Sequence, residues 1–235
     1  MGQIVAIGGG DLGRGETLAI DRYIVSLCGK GNPRLLFLPT ASRDSPGYIE
    51  AVRRVYGHLG CRVETLCLYE GVFERGEIRD RMLSADLIYV GGGDTAGMMA
   101  VWAAHGVDHC LRAAYRRGVV LSGLSAGSIC YFEAGYSDSE FHRPAVRLPQ
   151  YGWVRGLGLI PLLHCPHFDE PERAGFAACM RGQRRAGVAL ENGVALVWEH
   201  GRGHIIKSDP RKKAYRFDCA RGRVRQQELP VGEWV

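Results

Sequence analysis

Five apolar runs mark the first half of the chain: "QIVAIGG" (Gln3 to Gly9), "RLLFLP" (Arg34 to Pro39), "RVETLCLY" (Arg62 to Tyr69), "DLIYVGGG" (Asp86 to Gly93) and "VVLSG" (Val119 to Gly123). Short apolar stretches bounded by turn residues read as strands, the first of them buried. Between them the period changes. "ETLAIDRYIVSLCG", "SPGYIEAVRRVYGHLG", "TAGMMAVWAAHG" and "VDHCLRAAYRRG" space their apolar residues as helices do and close on glycine. Strand–helix alternation of this kind predicts a mostly parallel central sheet with helices on both faces. After "CYFEAG" the pattern breaks into an irregular stretch, Tyr136 to Gly152, of the length that often carries function. The tail from Gly193 to Asp218 reads as short strands and turns, a hairpin at the sheet edge.

Composition narrows the class. The 235 residues suit one α/β domain over 1–235, and 46% hydrophobic with 23% charged residues is ordinary for a globular protein. The net charge of +5 is spread along the chain. Its one knot, "PRKKAYR" (Pro210 to Arg216), reads as a solvated turn, so no nucleic-acid partner is expected. Eight scattered cysteines without a C-x-x-C pair read as reduced thiols and point to the cytoplasm. No signal-peptide pattern opens the chain and no apolar run reaches membrane-spanning length.

Three stretches can carry chemistry. "GGGDLG" places Gly8, Gly10 and Gly13 in the G-x-G-x-x-G spacing after the first strand, but the acidic residue that would read a ribose is absent from the end of the second, so a tight turn is the simpler reading. "YVGGGDTAG" ends a strand in three glycines, and Asp94 or Thr95 can cap the next helix; such a turn can aim backbone N–H groups at an anion or an oxyanion. Gly123-x-Ser125-x-Gly127 lies between a predicted strand and a predicted helix, where small neighbours allow the sharp turn that projects a nucleophilic serine. A serine needs a base. Of eight histidines, His164 and His167 in "LLHCPHFDEPER" stand at a strand end beside polar groups. Two histidines three apart with no further spaced ligand make a poor zinc pattern, and no metal or cofactor is expected.

"VGGGDT", "GLSAGS" and "CPHFD", in that order, resemble peptidase family S51, the dipeptidase E and cyanophycinase-like serine peptidases. The resemblance implies a class I glutamine amidotransferase-like fold, a three-layer α/β/α sandwich of flavodoxin type with a small C-terminal β-hairpin. It implies hydrolysis of short peptides, with an N-terminal aspartyl or β-aspartyl residue, through a Ser-His-Asp/Glu triad. Its serine carries over to Ser125, its base to His167 rather than His164, and its oxyanion donors to the N–H of Gly92 or Gly93 and of Ala126. The triad acid falls in the loop after the elbow. Asp138, between two serines that could orient it, is the first choice and Glu140 the second. Glu133 is expected on the helix leaving the elbow, Asp169 is too close in sequence to His167 to bond its ring, and Glu170 and Glu172 are expected to face solvent or substrate. An acidic side chain before the scissile bond would need a cation, for which Arg173 is the nearest candidate, with Arg181 behind it. The expected partner is a small peptide, with no nucleic acid and no membrane, and a homodimer is compatible. Three rivals remain: a non-catalytic binding module on an amidotransferase-like fold, an α/β-hydrolase esterase, and a nucleotide-binding oxidoreductase.

Overall fold

The structure, a computed structural model, describes residues 2–139 and 151–232. In chain order the elements are β1 (Ile4–Ile7), α1 (Leu18–Ser26), β2 (Arg34–Leu38), α2 (Pro46–His58), β3 (Arg62–Thr65), α3 (Arg75–Leu83), β4 (Leu87–Val90), α4 (Thr95–His105), α5 (Val107–Arg116), β5 (Val120–Leu124) and α6 (Ala126–Ile129). These are followed by β6 (Phe132–Ser137), β7 (Gly152–Arg155), β8 (Ile160–Cys165), α7 (Phe176–Cys179), β9 (Gly187–Leu190), β10 (Val194–Glu199), β11 (Arg202–Lys207), β12 (Ala214–Ala220) and β13 (Arg223–Leu229).

The first sheet has seven strands in the order β11-β10-β1-β5-β4-β2-β3. β1, β5, β4, β2 and β3 pair in parallel, while β10 and β11 close one edge antiparallel. Alternate side chains of one strand leave on opposite faces. Ile4 and Ala6 of β1 accordingly join a core with Ile78 of α3, Trp102 of α4 and Leu111 of α5. Val5 and Ile7 join the other, with Ile20 and Ile24 of α1 and Val52 and Tyr56 of α2. That two-sided burial explains why the central strands read as unbroken apolar runs.

A second sheet, absent from the sequence reading, has six strands in the order β13-β12-β9-β8-β6-β7. The expected C-terminal hairpin is therefore divided: β10 and β11 complete the first sheet, and β12 and β13 the edge of the second. Val188 and Leu190 of β9 pack into the first core, whereas Ala189 turns away to a third cluster with Tyr136, Phe176 and Phe217. Glu133 is a correction of the same kind. The helix after the elbow lasts only four residues, and Glu133 lies on β6, paired with Arg185 at 2.7 Å.

One buried carboxyl sits under the helices. Asp21 of α1 is wholly covered and accepts from Thr17 Oγ1 and Tyr56 Oη, each at 2.8 Å. Burial raises its pKa from 3.8 to about 6, against the pull of the two hydroxyl donors. The folded chain thus holds a proton that the unfolded chain has released between about pH 4 and pH 6, and stability falls as pH rises through that window. Relative to Asp21→Asn, the wild type should lose up to about 3 kcal/mol between pH 4 and pH 7. Urea unfolding of both proteins across that range measures it, and identical pH slopes would refute the assignment.

Candidate active site

Ser125 follows β5 directly, with β1 and β4 on either side. Its φ of 58° and ψ of −115° put a non-glycine residue in sparsely populated backbone space. The flanking glycines make this turn feasible. A Cβ on Gly123 would run into the carbonyl of Gly127, and one on Gly127 into the carbonyl of Val90. Both obstacles are backbone, so neither can move aside cheaply. The N–H groups of Gly93 and Ala126 have no hydrogen-bond partner among the described residues. That of Gly92 differs from expectation: it donates to the phenol of Tyr48 at 3.3 Å.

His167 also has positive φ, 54°. Its Nε2 lies 2.8 Å from Ser125 Oγ and its Nδ1 2.7 Å from Asn192 Oδ1. Oδ1 of an amide can only accept, so Nδ1 carries the proton and Nε2 presents a lone pair to the serine. Asn192 is itself fixed at both ends. Its Nδ2 donates to Glu170 Oε1 at 3.2 Å and its backbone N–H to Asp169 Oδ1 at 2.9 Å. The same Glu170 oxygen is 3.2 Å from His167 Nδ1.

The exit of β1 gathers these segments. Ile7 O accepts from Ser125 N at 3.1 Å, Gly8 O from His167 N at 3.0 Å and Gly9 O from Gly193 N at 2.9 Å. This accounts for the glycine-rich start of "GGGDLG". A Cβ on Gly9 would strike both Asn192 Oδ1 and the His167 ring, and one on Gly8 the Glu191 carbonyl. Gly9, which lies between two glycines of the dinucleotide-like spacing and is not one of them, is the clearance for the histidine and its amide partner.

The remaining sequence candidates fall elsewhere. Asp138 does not face His167; its carboxylate lies 4.0 Å from Arg173. The reason is local. Ser137 and Ser139, read as its orienters, bond instead to each other at 2.9 Å and to Thr95 Oγ1 and Ala96 N, which ties the loop to α4. Glu140 lies outside the described residues. Arg173 is 6% exposed, donates to the Tyr136 carbonyl at 3.3 Å and lies over the Tyr151 ring at 4.6 Å; it is not among the residues lining the cavity at Ser125. Arg181 lines a separate depression beside β13. His164 is fully buried, stacked on Phe132, with Nδ1 donating to the Val188 carbonyl at 3.0 Å and Nε2 2.9 Å from Ser128 Oγ. Burial pushes its pKa down to about 3, so it is a neutral prop behind α6.

Asn192 was invisible in the sequence because the search there was for a carboxylate. The available signal was the Asn-Gly pair in "ALENGVAL", a hairpin-type turn after a strand. Ser125, His167, Glu170 and Asn192 all border one cavity of about 560 Å³, which Tyr48 and Gly93 also line. It lies at the carboxyl ends of the parallel strands, where open α/β sheets bind their ligands.

A nucleophile elbow facing an oriented imidazole, on this fold, defines a hydrolase of the serine type. The family model of peptidase family S51 matches residues 4–206. The chain is 34% identical over 236 residues to the uncharacterized peptidase YgaJ of Bacillus subtilis (strain 168), covering 98% of each. It is 30% identical to peptidase E of Streptomyces coelicolor over 139 residues, 59% of this chain and 53% of that protein. In structure it resembles a peptidase from an acI-B1 Actinobacterium (TM-score 0.73, 21% identity, 100% of this chain and 96% of that one). A putative peptidase E from Listeria monocytogenes EGD-e is also similar (TM-score 0.68, 19% identity, 88% and 98%). The chain belongs to peptidase family S51 and is a serine-type peptidase.

Gly9→Ala tests the clearance. The variant should fold, with a modest fall in melting temperature, yet lose at least about a hundredfold in peptide hydrolysis as His167 and Asn192 are pushed apart. Wild-type turnover in a folded Gly9→Ala protein would mean that this packing does not matter to the site.

Proposed function

We propose that the protein hydrolyses short peptides with Ser125 as nucleophile and His167 as general base. The observation that carries this reading is the pair of contacts on one ring: Nε2 2.8 Å from Ser125 Oγ, and Nδ1 held 2.7 Å from the Asn192 amide oxygen. Ser125 Oγ attacks the scissile carbonyl as its proton passes to His167 Nε2. The N–H groups of Gly93 and Ala126 receive the oxyanion, each worth roughly 3 kcal/mol in comparable sites. Collapse of the intermediate expels the amine, which leaves with the proton from His167. Water then enters by the same base and releases the acid. Asn192 takes the position of the third triad member. A neutral amide fixes the tautomer as a carboxylate would, and Glu170 at 3.2 Å supplies the negative charge that favours the imidazolium.

The resemblance in sequence extends the reading to N-terminal aspartyl and β-aspartyl peptides. The eight cysteines, all free, support work in a reducing compartment such as the cytoplasm.

Hydrolysis of a dipeptide library, followed by amine release, tests the reaction. Ser125→Ala and His167→Ala should each fold and lose three or more orders of magnitude in kcat, and a fluorophosphonate should add to wild type but not to Ser125→Ala. Turnover in Ser125→Ala near that of wild type would sink the reading. For the third position, Asn192→Ala should cost about a hundredfold or more in kcat while Asp138→Asn stays within about threefold of wild type. The reverse ranking would return the role to the loop after β6.

A further inference from the structure

Of the N–H groups around Ser125 that the resemblance assigns to the oxyanion, that of Gly92 is already taken. It donates to Tyr48 Oη at 3.3 Å, so the phenol stands where a ligand oxygen on this N–H would stand. Gly92 itself lies against the nucleophile: a Cβ on it would come within 3.3 Å of Ser125 Cβ. Tyr48, Gly92, Gly93 and Ser125 line the same cavity. The phenol is therefore a neighbour of the reacting carbonyl, on the side of the glycine-rich turn.

Its proton is uncommitted. A phenol has one O–H to give and accepts through its oxygen. Tyr48 Oη accepts from Gly92 N, and the Tyr89 hydroxyl of β4 approaches the same oxygen as a donor. Tyr89 is fully buried, and its hydroxyl makes no close bond elsewhere. No acceptor among the described residues takes the Tyr48 proton, which is left for the cavity. Burial, followed by the Asp21 and Asp11 carboxylates, holds the phenol's pKa above its ordinary 10, so the proton is present at neutral pH.

The ring is also held in place. It meets Phe37 edge-on, with centroids 5.3 Å apart, and Gly91 gives it room, since a Cβ there would come 3.0 Å from Tyr48 Cε1. Tyr48 opens α2, which is pinned one and two turns further on by the fully buried Val52 and Tyr56. A donor fixed in this way needs no reorganisation at the moment of reaction.

We infer that Tyr48 is a third oxyanion donor, through which the Gly92 N–H reaches the substrate. The inference rests on the Ser125–His167 reading of the reaction. Gly92 N–H donates to the phenol oxygen, and the phenol O–H donates to the carbonyl oxygen under attack. An O–H whose own oxygen accepts hydrogen bonds is the stronger donor. The gain falls in the transition state, as charge gathers on the carbonyl oxygen. No proton changes hands: the phenol keeps its own, and the oxyanion returns to a carbonyl when the amine leaves.

Tyr48→Phe removes the O–H and keeps the ring that packs on Phe37. With folding checked by melting temperature, kcat on the dipeptide that wild type cleaves fastest should fall at least about tenfold, with KM within about threefold. Inhibition by 1-aminoethylboronic acid, whose adduct on Ser125 is tetrahedral, should weaken in parallel with kcat. Calorimetry of the same dipeptide should give affinities within about threefold for Ser125→Ala and for Ser125→Ala carrying Tyr48→Phe. A kcat within about threefold of wild type would overturn the inference. A rise in kcat would overturn it too, because the phenol would then be a stopper on the Gly92 N–H. Dipeptide binding lost as far as kcat would make Tyr48 a ground-state contact and overturn it as well. Failure of the reaction reading is seen separately, as turnover that persists in Ser125→Ala whatever stands at position 48.

Discussion

Three successive carbonyls at the end of β1 hold the site together. Ile7, Gly8 and Gly9 accept from the backbone N–H groups of Ser125, His167 and Gly193, which come from three separate parts of the chain. Backbone bonds of this kind fix position more firmly than side-chain contacts, because no rotamer can relax them. They explain how two residues in unfavourable φ/ψ space, Ser125 and His167, are kept there. They also require a strand exit without side chains, and the glycines at 8 and 9 meet that need.

The geometry that results is a relay with an amide in the middle. Glu170 bonds Asn192, Asn192 bonds His167, and His167 faces Ser125. An amide oxygen can only accept, so it keeps the proton on Nδ1 and leaves Nε2 to face the serine. The carboxylate is left at the edge, close enough to act on the ring. Tyr48 lines the same cavity and occupies the Gly92 N–H, which leaves the N–H groups of Gly93 and Ala126 unfilled among the described residues.

How much of this could be read from the sequence depended on whether a feature was local. The central strands were legible because each is buried on both faces and writes a continuous apolar run. The elbow was legible because its turn needs glycine at fixed offsets from Ser125. The second sheet was not. β7 is only half buried and most of β13 is exposed, so no periodic signal marks them, and although the strand end before His167 was legible, nothing local names β6 and β9 as its partners. Asp138 and Arg173 show the same limit at single residues. Their charges were plain, but Asp138 turns to the arginine, and Arg173 is buried under Tyr151 instead of facing the cavity. Asn192 carries no charge, so nothing local in the sequence marks it as the partner of a histidine twenty-five positions earlier.

The serine belongs to one sheet and the histidine to the other, and Asn192 sits in the turn where the chain crosses between them. Neither sheet alone contains a working pair. The contact between Ser125 and His167 therefore also reports how the two sheets are docked, since any slide of one against the other lengthens it.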